Sequence, residues 1–102
     1  MLQGNDRPHT LEAPTSLIAD TRAEFRRAAL AHLDVTLSAH GGRIVVDLSR
    51  TREIDASGLG VLVLLQKRAR EAMVATRLRH VPAGVRQILA LTRLDHLFEI
   101  ED

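Results

Sequence analysis

One stretch constrains the fold more than any other. Ile44-Val45-Val46-Asp47-Leu48 is β-branched and nearly continuously apolar. Such a run, just after Gly41-Gly42, reads as a buried central strand. A polar connection follows from Ser49 to Glu53, with Ile54 as one apolar anchor. Gly58-Leu59-Gly60 then opens a helical run to about Ala72, with Ser57 as its N-cap or in its first turn. Leu59, Leu62, Val63, Leu65, Ala69 and Ala72 can face inward, and Gln66, Lys67, Arg68, Arg70 and Glu71 outward. Ala75 to Val81 alternates as a second strand. Strand, helix, strand predicts parallel pairing through a right-handed crossover.

The flanks extend this unit. His9 to Ala13 can form a short first strand ended by Pro14. Thr21-Arg22-Ala23-Glu24 reads as a capping box. It opens a helix of about five turns whose stripe is Phe25, Ala29, Leu33 and Leu37, with Ala28 beside it. Leu17 and Ile18 can pack on its first turn. Pro82 and Gly84 precede a short amphipathic helix with Val85, Ile88 and Leu89 on its stripe. Leu94, Leu97, Phe98 and Ile100 form a last packing segment ending in a short strand. The fold class is therefore α/β: one domain with a small mixed sheet of about four strands against three to four α-helices. Residues 1–10, polar and with little to bury, are expected to be a flexible arm, and residues 11–102 the domain.

Composition excludes several functions. Across 102 residues there are 14 Lys plus Arg and 13 Asp plus Glu, for a formal net charge of +1. That balance gives no basis for direct nucleic-acid or anionic-membrane binding. With two Phe and no Trp or Tyr, there is no aromatic platform for stacking bases. The absence of Cys removes thiolate nucleophiles, disulfides and cysteine zinc sites. Val61 to Leu65, the longest apolar run, is too short to insert in a bilayer, and residues 1–10 carry no signal-peptide stretch. A cytoplasmic location is expected.

Catalytic motifs fail on inspection. Gly58-Leu59-Gly60 lacks the third glycine of a dinucleotide fingerprint, and no Gly-Lys-Ser/Thr marks a phosphate loop. The glycines serve a tight turn and close helix–sheet packing. Ser57 is not on a nucleophile elbow, because Asp55 and Leu59 occupy the flanking glycine positions. His9, His32, His40, His80 and His96 include no pair at helical ligand spacing, so no metal site is expected. Asp47 ends its strand where a phospho-accepting aspartate could stand, but lacks the supporting acids and lysine; it reads as a loop-organising carboxylate. Glu53 and Asp55 form no evident acid/base pair. The arginines are scattered and read as solubilising. No cofactor is expected, and the chain reads as a non-enzyme. From residue types alone, Ser57 is a structural cap; a phosphate there would meet the positive end of a helix.

The motifs together resemble the STAS domain family, of the anti-sigma factor antagonist type, from about Thr21 to Ile100. Ile44-Val45-Val46-Asp47-Leu48-Ser49 is similar to the family's strand ending in Asp-Leu-Ser. Ile54-Asp55-Ala56-Ser57-Gly58-Leu59-Gly60 is similar to its Asp-Ser-Ser-Gly-Leu-Gly signature. Leu91-Thr92-Arg93-Leu94 and the closing Leu97-Phe98-Glu99-Ile100 resemble its late segments. The resemblance implies a bacterial binding module for an anti-sigma factor that is also a serine kinase. Phosphorylation of Ser57 would inactivate it and a phosphatase would reset it. Asp55, Ala56, Gly58, Leu59 and Gly60 would order the loop or touch the partner. The departures are Ala56 in place of a first serine, no Gly-Glu-Leu-Asp segment before the first helix, a shortened first strand pair and a clipped C-terminal helix. They leave an alternative, an unswitched STAS subunit that partners an ABC-transporter ATPase of the lipid-transport type.

Overall fold

The computed structural model describes residues 10–38 and 42–101. In chain order the elements are β1 (Thr10–Glu12), β2 (Ser16–Leu17), α1 (Arg22–Ser38), β3 (Arg43–Asp47), β4 (Glu53–Ile54), α2 (Ala56–Glu71), β5 (Ala75–Arg79), α3 (Ala83–Leu91), a 3₁₀ turn (Asp95–Leu97) and β6 (Glu99–Ile100). The main sheet has the order β1-β3-β5-β6, and β2 pairs with β4 in a second, two-stranded sheet. Residues 1–9, which hold nearly all of the expected arm, lie outside the described residues; Thr10 already belongs to β1, opposite Val45.

The α/β class holds, and the sheet expected to be mixed is parallel at every pairing among the described residues. The cause is connectivity: each neighbouring pair in the main sheet is joined by a crossover containing a helix, and such a crossover returns the chain in the same direction. The strands also march one way across the sheet, so right-handed crossovers place the helices on one face. Burial agrees. Ile44, Val46, Thr76 and Leu78 are buried, while Val45, Asp47, Arg77 and Arg79 are half-buried on the other face. That second face is laced by ion pairs: Arg43 to Glu99 at 2.7 Å, Arg77 to Glu101 at 3.2 Å and Arg79 to Glu101 at 2.9 Å.

The core joins Phe25, Ala29 and Leu33 of α1 to Leu59, Leu62, Leu65 and Ala69 of α2 over the sheet. Leu37, expected on the α1 stripe, is exposed, and Thr36 is buried in its place. A strict spacing of four drifts by about 40° per step at 100° per residue, so Leu37 has rotated about 120° from Phe25, and Thr36 only about 20°. The Thr36 hydroxyl donates to the His32 carbonyl at 3.0 Å, which satisfies it there. Gln66 of α2, expected in solvent, is buried, and Ala72, expected inside, is exposed.

Both long crossover helices of the C-terminal half stop without glycine. After α2 the Val74 N–H reaches the Ala69 carbonyl at 2.8 Å and the Met73 N–H reaches Arg70 at 3.0 Å. After α3, Leu94 to Leu89 (2.9 Å) and Arg93 to Ala90 (3.1 Å) repeat the pattern. These are Schellman closures, which require a left-handed residue. Met73 (φ 64°) and Arg93 (φ 60°) supply it.

Candidate functional site

The loop entering α2 is assembled by one carboxylate. Asp55, not Ser57, is the N-cap: its Oδ1 accepts the Gly58 N–H at 2.9 Å. Its Oδ2 accepts the Ala19 N–H at 3.1 Å, which ties the β2–α1 connection to the same point. Its own N–H donates to the Leu17 carbonyl at 3.2 Å. The Gly58 bond is the main cause that holds the Asp55 carboxyl below the usual carboxylate range, with Ala19 and Ser57 N–H groups adding to it against partial desolvation.

Ala56 and Ser57 are therefore the first two residues of α2. Ala56 is exposed and Ser57 half-buried. The Ser57 hydroxyl has no hydrogen bond among the described residues, and the residue lines an open groove between α1 and α2 of about 930 Å³. Of the two places expected for Ser57, N-cap or first turn, the structure gives the first turn, and Asp55 caps the helix.

The glycines divide in role. A Cβ on Gly58 would lie 2.8 Å from the Leu17 side chain and still closer to the Leu17 carbonyl, so the absence of a side chain lets α2 seat directly on β2. Gly60 is exposed and a Cβ there meets nothing within 4 Å. Close packing thus explains Gly58 and not Gly60. Leu59 is buried in the core beneath the loop.

Three supports of the loop do not show in the sequence. The β2–β4 pair, with Ser16 opposite Glu53 and Leu17 opposite Ile54, forms the floor of the loop. Thr21 does not form the expected capping box with Glu24. Its hydroxyl accepts from Ile18 N–H at 3.1 Å and donates to the Ser16 carbonyl at 2.7 Å, locking β2 to α1. The third support is charge. Arg22, Arg26 and Arg27 of α1 line the same groove as Ser57, together with Leu30, Val61 and Leu64. The sequence shows Arg22 and Arg26 one turn apart, but not that this turn lies beside the start of α2.

Asp47 organises its loop as expected. It accepts the Ser49 N–H at 2.8 Å and lies 3.3 Å from His80 Nδ1. Among the described residues no group of three or more His, Asp or Glu is placed to hold a metal ion, and no helix is long and apolar enough to cross a membrane.

A family model described as the Mlab, STAS domain matches residues 1–99. Solved structures share the fold. A candidate anti-sigma factor antagonist of Thermotoga maritima superposes with a TM-score of 0.77 at 24% identity, over 92% of this chain and 80% of that one. The Bacillus protein SpoIIAA, an anti-sigma factor antagonist, matches in its unphosphorylated form at TM-score 0.68 and 14% identity, over 100% and 86% of the two chains. Its phosphorylated form matches at 0.67 and 14%, over 100% and 90%. With the family model spanning nearly the whole sequence, this chain belongs to the STAS domain family.

Proposed function

We propose that the chain is an anti-sigma factor antagonist. It docks an anti-sigma factor that is also a serine kinase, through the surface around the start of α2. Phosphorylation of Ser57 ends that docking, and a phosphatase restores it. The chain acts by binding, in the cytoplasm, and carries out no chemistry of its own.

The observation that carries this reading is the state of Ser57: an unbonded hydroxyl at the edge of an open groove, in the first turn of α2, which Asp55 caps and ties to the β2–α1 connection. A kinase can reach it, and a phosphate there changes a surface rather than a core. The near-equal likeness to SpoIIAA with and without phosphate supports a fold that tolerates the modification. Docking is lost because the phosphate adds bulk and negative charge to the docking surface, and desolvating that charge against a partner costs several kcal/mol, on the order known for desolvated ions. The test is binding of the purified chain to an anti-sigma factor kinase from its own organism. Ser57→Asp is expected to weaken binding at least tenfold, with Ser57→Ala near wild type; tight binding by Ser57→Asp would refute the switch.

A second reading is the unswitched subunit of an ABC-transporter ATPase. The Mlab description of the matching family model favours it, as does the two-residue strand β2. Under this reading an ABC ATPase copurifies with the chain from its own cells, and no phosphate is found on Ser57.

A further inference from the structure

We infer that Arg22, Arg26 and Arg27 form a phosphate-binding site on α1, and that its ligand is a phosphate monoester carried by Ser57 of the same chain. The inference rests on the switch reading above and adds what receives the anion.

Four observations lead to it. First, the three arginines and Ser57 line one groove, and no acidic residue lines it with them. Second, none of the three has an ion-pair or hydrogen-bond partner among the described residues. Four arginines elsewhere do have glutamate partners: Arg43 and Arg77 pair with Glu99, Arg77 and Arg79 with Glu101, and Arg50 with Glu12. Glu24, in the same turn as Arg22, lines a different groove with Thr21 and Phe25. Third, helix stability does not account for Arg22. It stands in the first turn of α1, where the helix dipole disfavours a cation. Fourth, the start of α2 is already capped by a carboxylate. Asp55 already takes the Gly58 N–H, so a phosphate on Ser57 would stand near a carboxylate and needs cations from elsewhere.

Guanidinium groups suit the task, because each offers paired donors to phosphate oxygens and stays charged at any physiological pH. In the unmodified chain the groove is open and cationic. After modification the phosphate sits among the three guanidinium groups, so one event both obstructs the docking surface and offsets most of its positive charge.

The test needs no kinase. Phosphoserine is installed at position 57 during translation, and its second ionisation is followed by ³¹P NMR. In a free peptide this pKa is about 6. In the folded chain it is expected to lie lower, and to rise by about half a unit or more in Arg22→Gln/Arg26→Gln/Arg27→Gln, since nearby cations favour the dianion. Circular dichroism checks that the variant is folded. If the triple variant is unfolded, Arg22→Gln and Arg26→Gln singly decide the matter, each moving the value part of the way. Equal values in wild type and variants would overturn the site. Inorganic phosphate titrated into the unmodified chain distinguishes the source of the anion. No saturation of the arginine resonances is expected up to about 10 mM, and saturation below about 1 mM would overturn the assignment to Ser57's own phosphate. A kinase that never modifies Ser57 would sink the switch and leave this titration unchanged.

Discussion

Gly58 and Gly60 are two residues apart on one helix, yet alanine should act on them in opposite directions. At Gly58 the new methyl meets the Leu17 side chain at 2.8 Å and the Leu17 backbone closer still. Leu17 is fully buried and cannot swing aside. Its carbonyl also accepts the Asp55 N–H, and its strand pairs with β4, so a backbone shift breaks both. Overpacking of this kind costs about 1–3 kcal/mol and the lost hydrogen bond about 1 kcal/mol. The better helix propensity of alanine returns about 1 kcal/mol. The expected net loss for Gly58→Ala is about 2 kcal/mol, or roughly 10 °C in Tm for a domain of this size. At Gly60 nothing lies within 4 Å, so only the propensity term operates. Gly60→Ala should gain about 0.5–1 kcal/mol, a rise of roughly 4 °C. Urea and thermal denaturation of both variants provide the measurement. If Gly58→Ala is as stable as wild type, α2 does not sit on β2 as described and the loop geometry argued from it fails.

Two further outcomes follow from the same structure. Met73 is 88% exposed and holds a left-handed φ of 64°, so Met73→Gly should stabilise by about 0.5–1 kcal/mol, visible as a higher urea midpoint. The Asp55 carboxyl is held below its usual range chiefly by the Gly58 N–H. A carboxyl with a depressed folded pKa stabilises the fold above its unfolded value and loses that contribution as pH falls through the folded one. Wild type should therefore weaken below about pH 4. Asp55→Asn keeps a capping oxygen, so its urea midpoint should fall less between pH 7 and pH 3; equal falls would contradict the role given to Asp55.

The β3–α2–β5 unit was legible because a β-branched run, a long apolar helix and an alternating strand each carry their own period. The β2–β4 pair was not. Two-residue strands are too short to show a period, and their pairing joins Ser16 and Leu17 to Glu53 and Ile54 across the whole of α1. Thr51 belongs to the same blind spot: in a connection read as polar, it is buried and donates to the Pro14 carbonyl at 2.8 Å. On α1 the four-residue spacing of Phe25, Ala29 and Leu33 pointed on to Leu37, whereas the true helical period turns Thr36 inward. Around Ser57 the residue types identified the loop, but its cap is Asp55, and its charge comes from α1. Arg22, Arg26 and Arg27 looked like solubilising residues because linear sequence does not tell which helix face lies against which groove.

The central claim is that Ser57 is the point where a kinase acts and where the partner docks. Site-resolved mass spectrometry of the chain isolated from its own cells, with and without its anti-sigma factor kinase, tests that claim most directly. The account predicts one phosphate, on Ser57, that disappears when the kinase gene is removed. A chain carrying no phosphate under any growth condition, or one carrying it elsewhere, would contradict it.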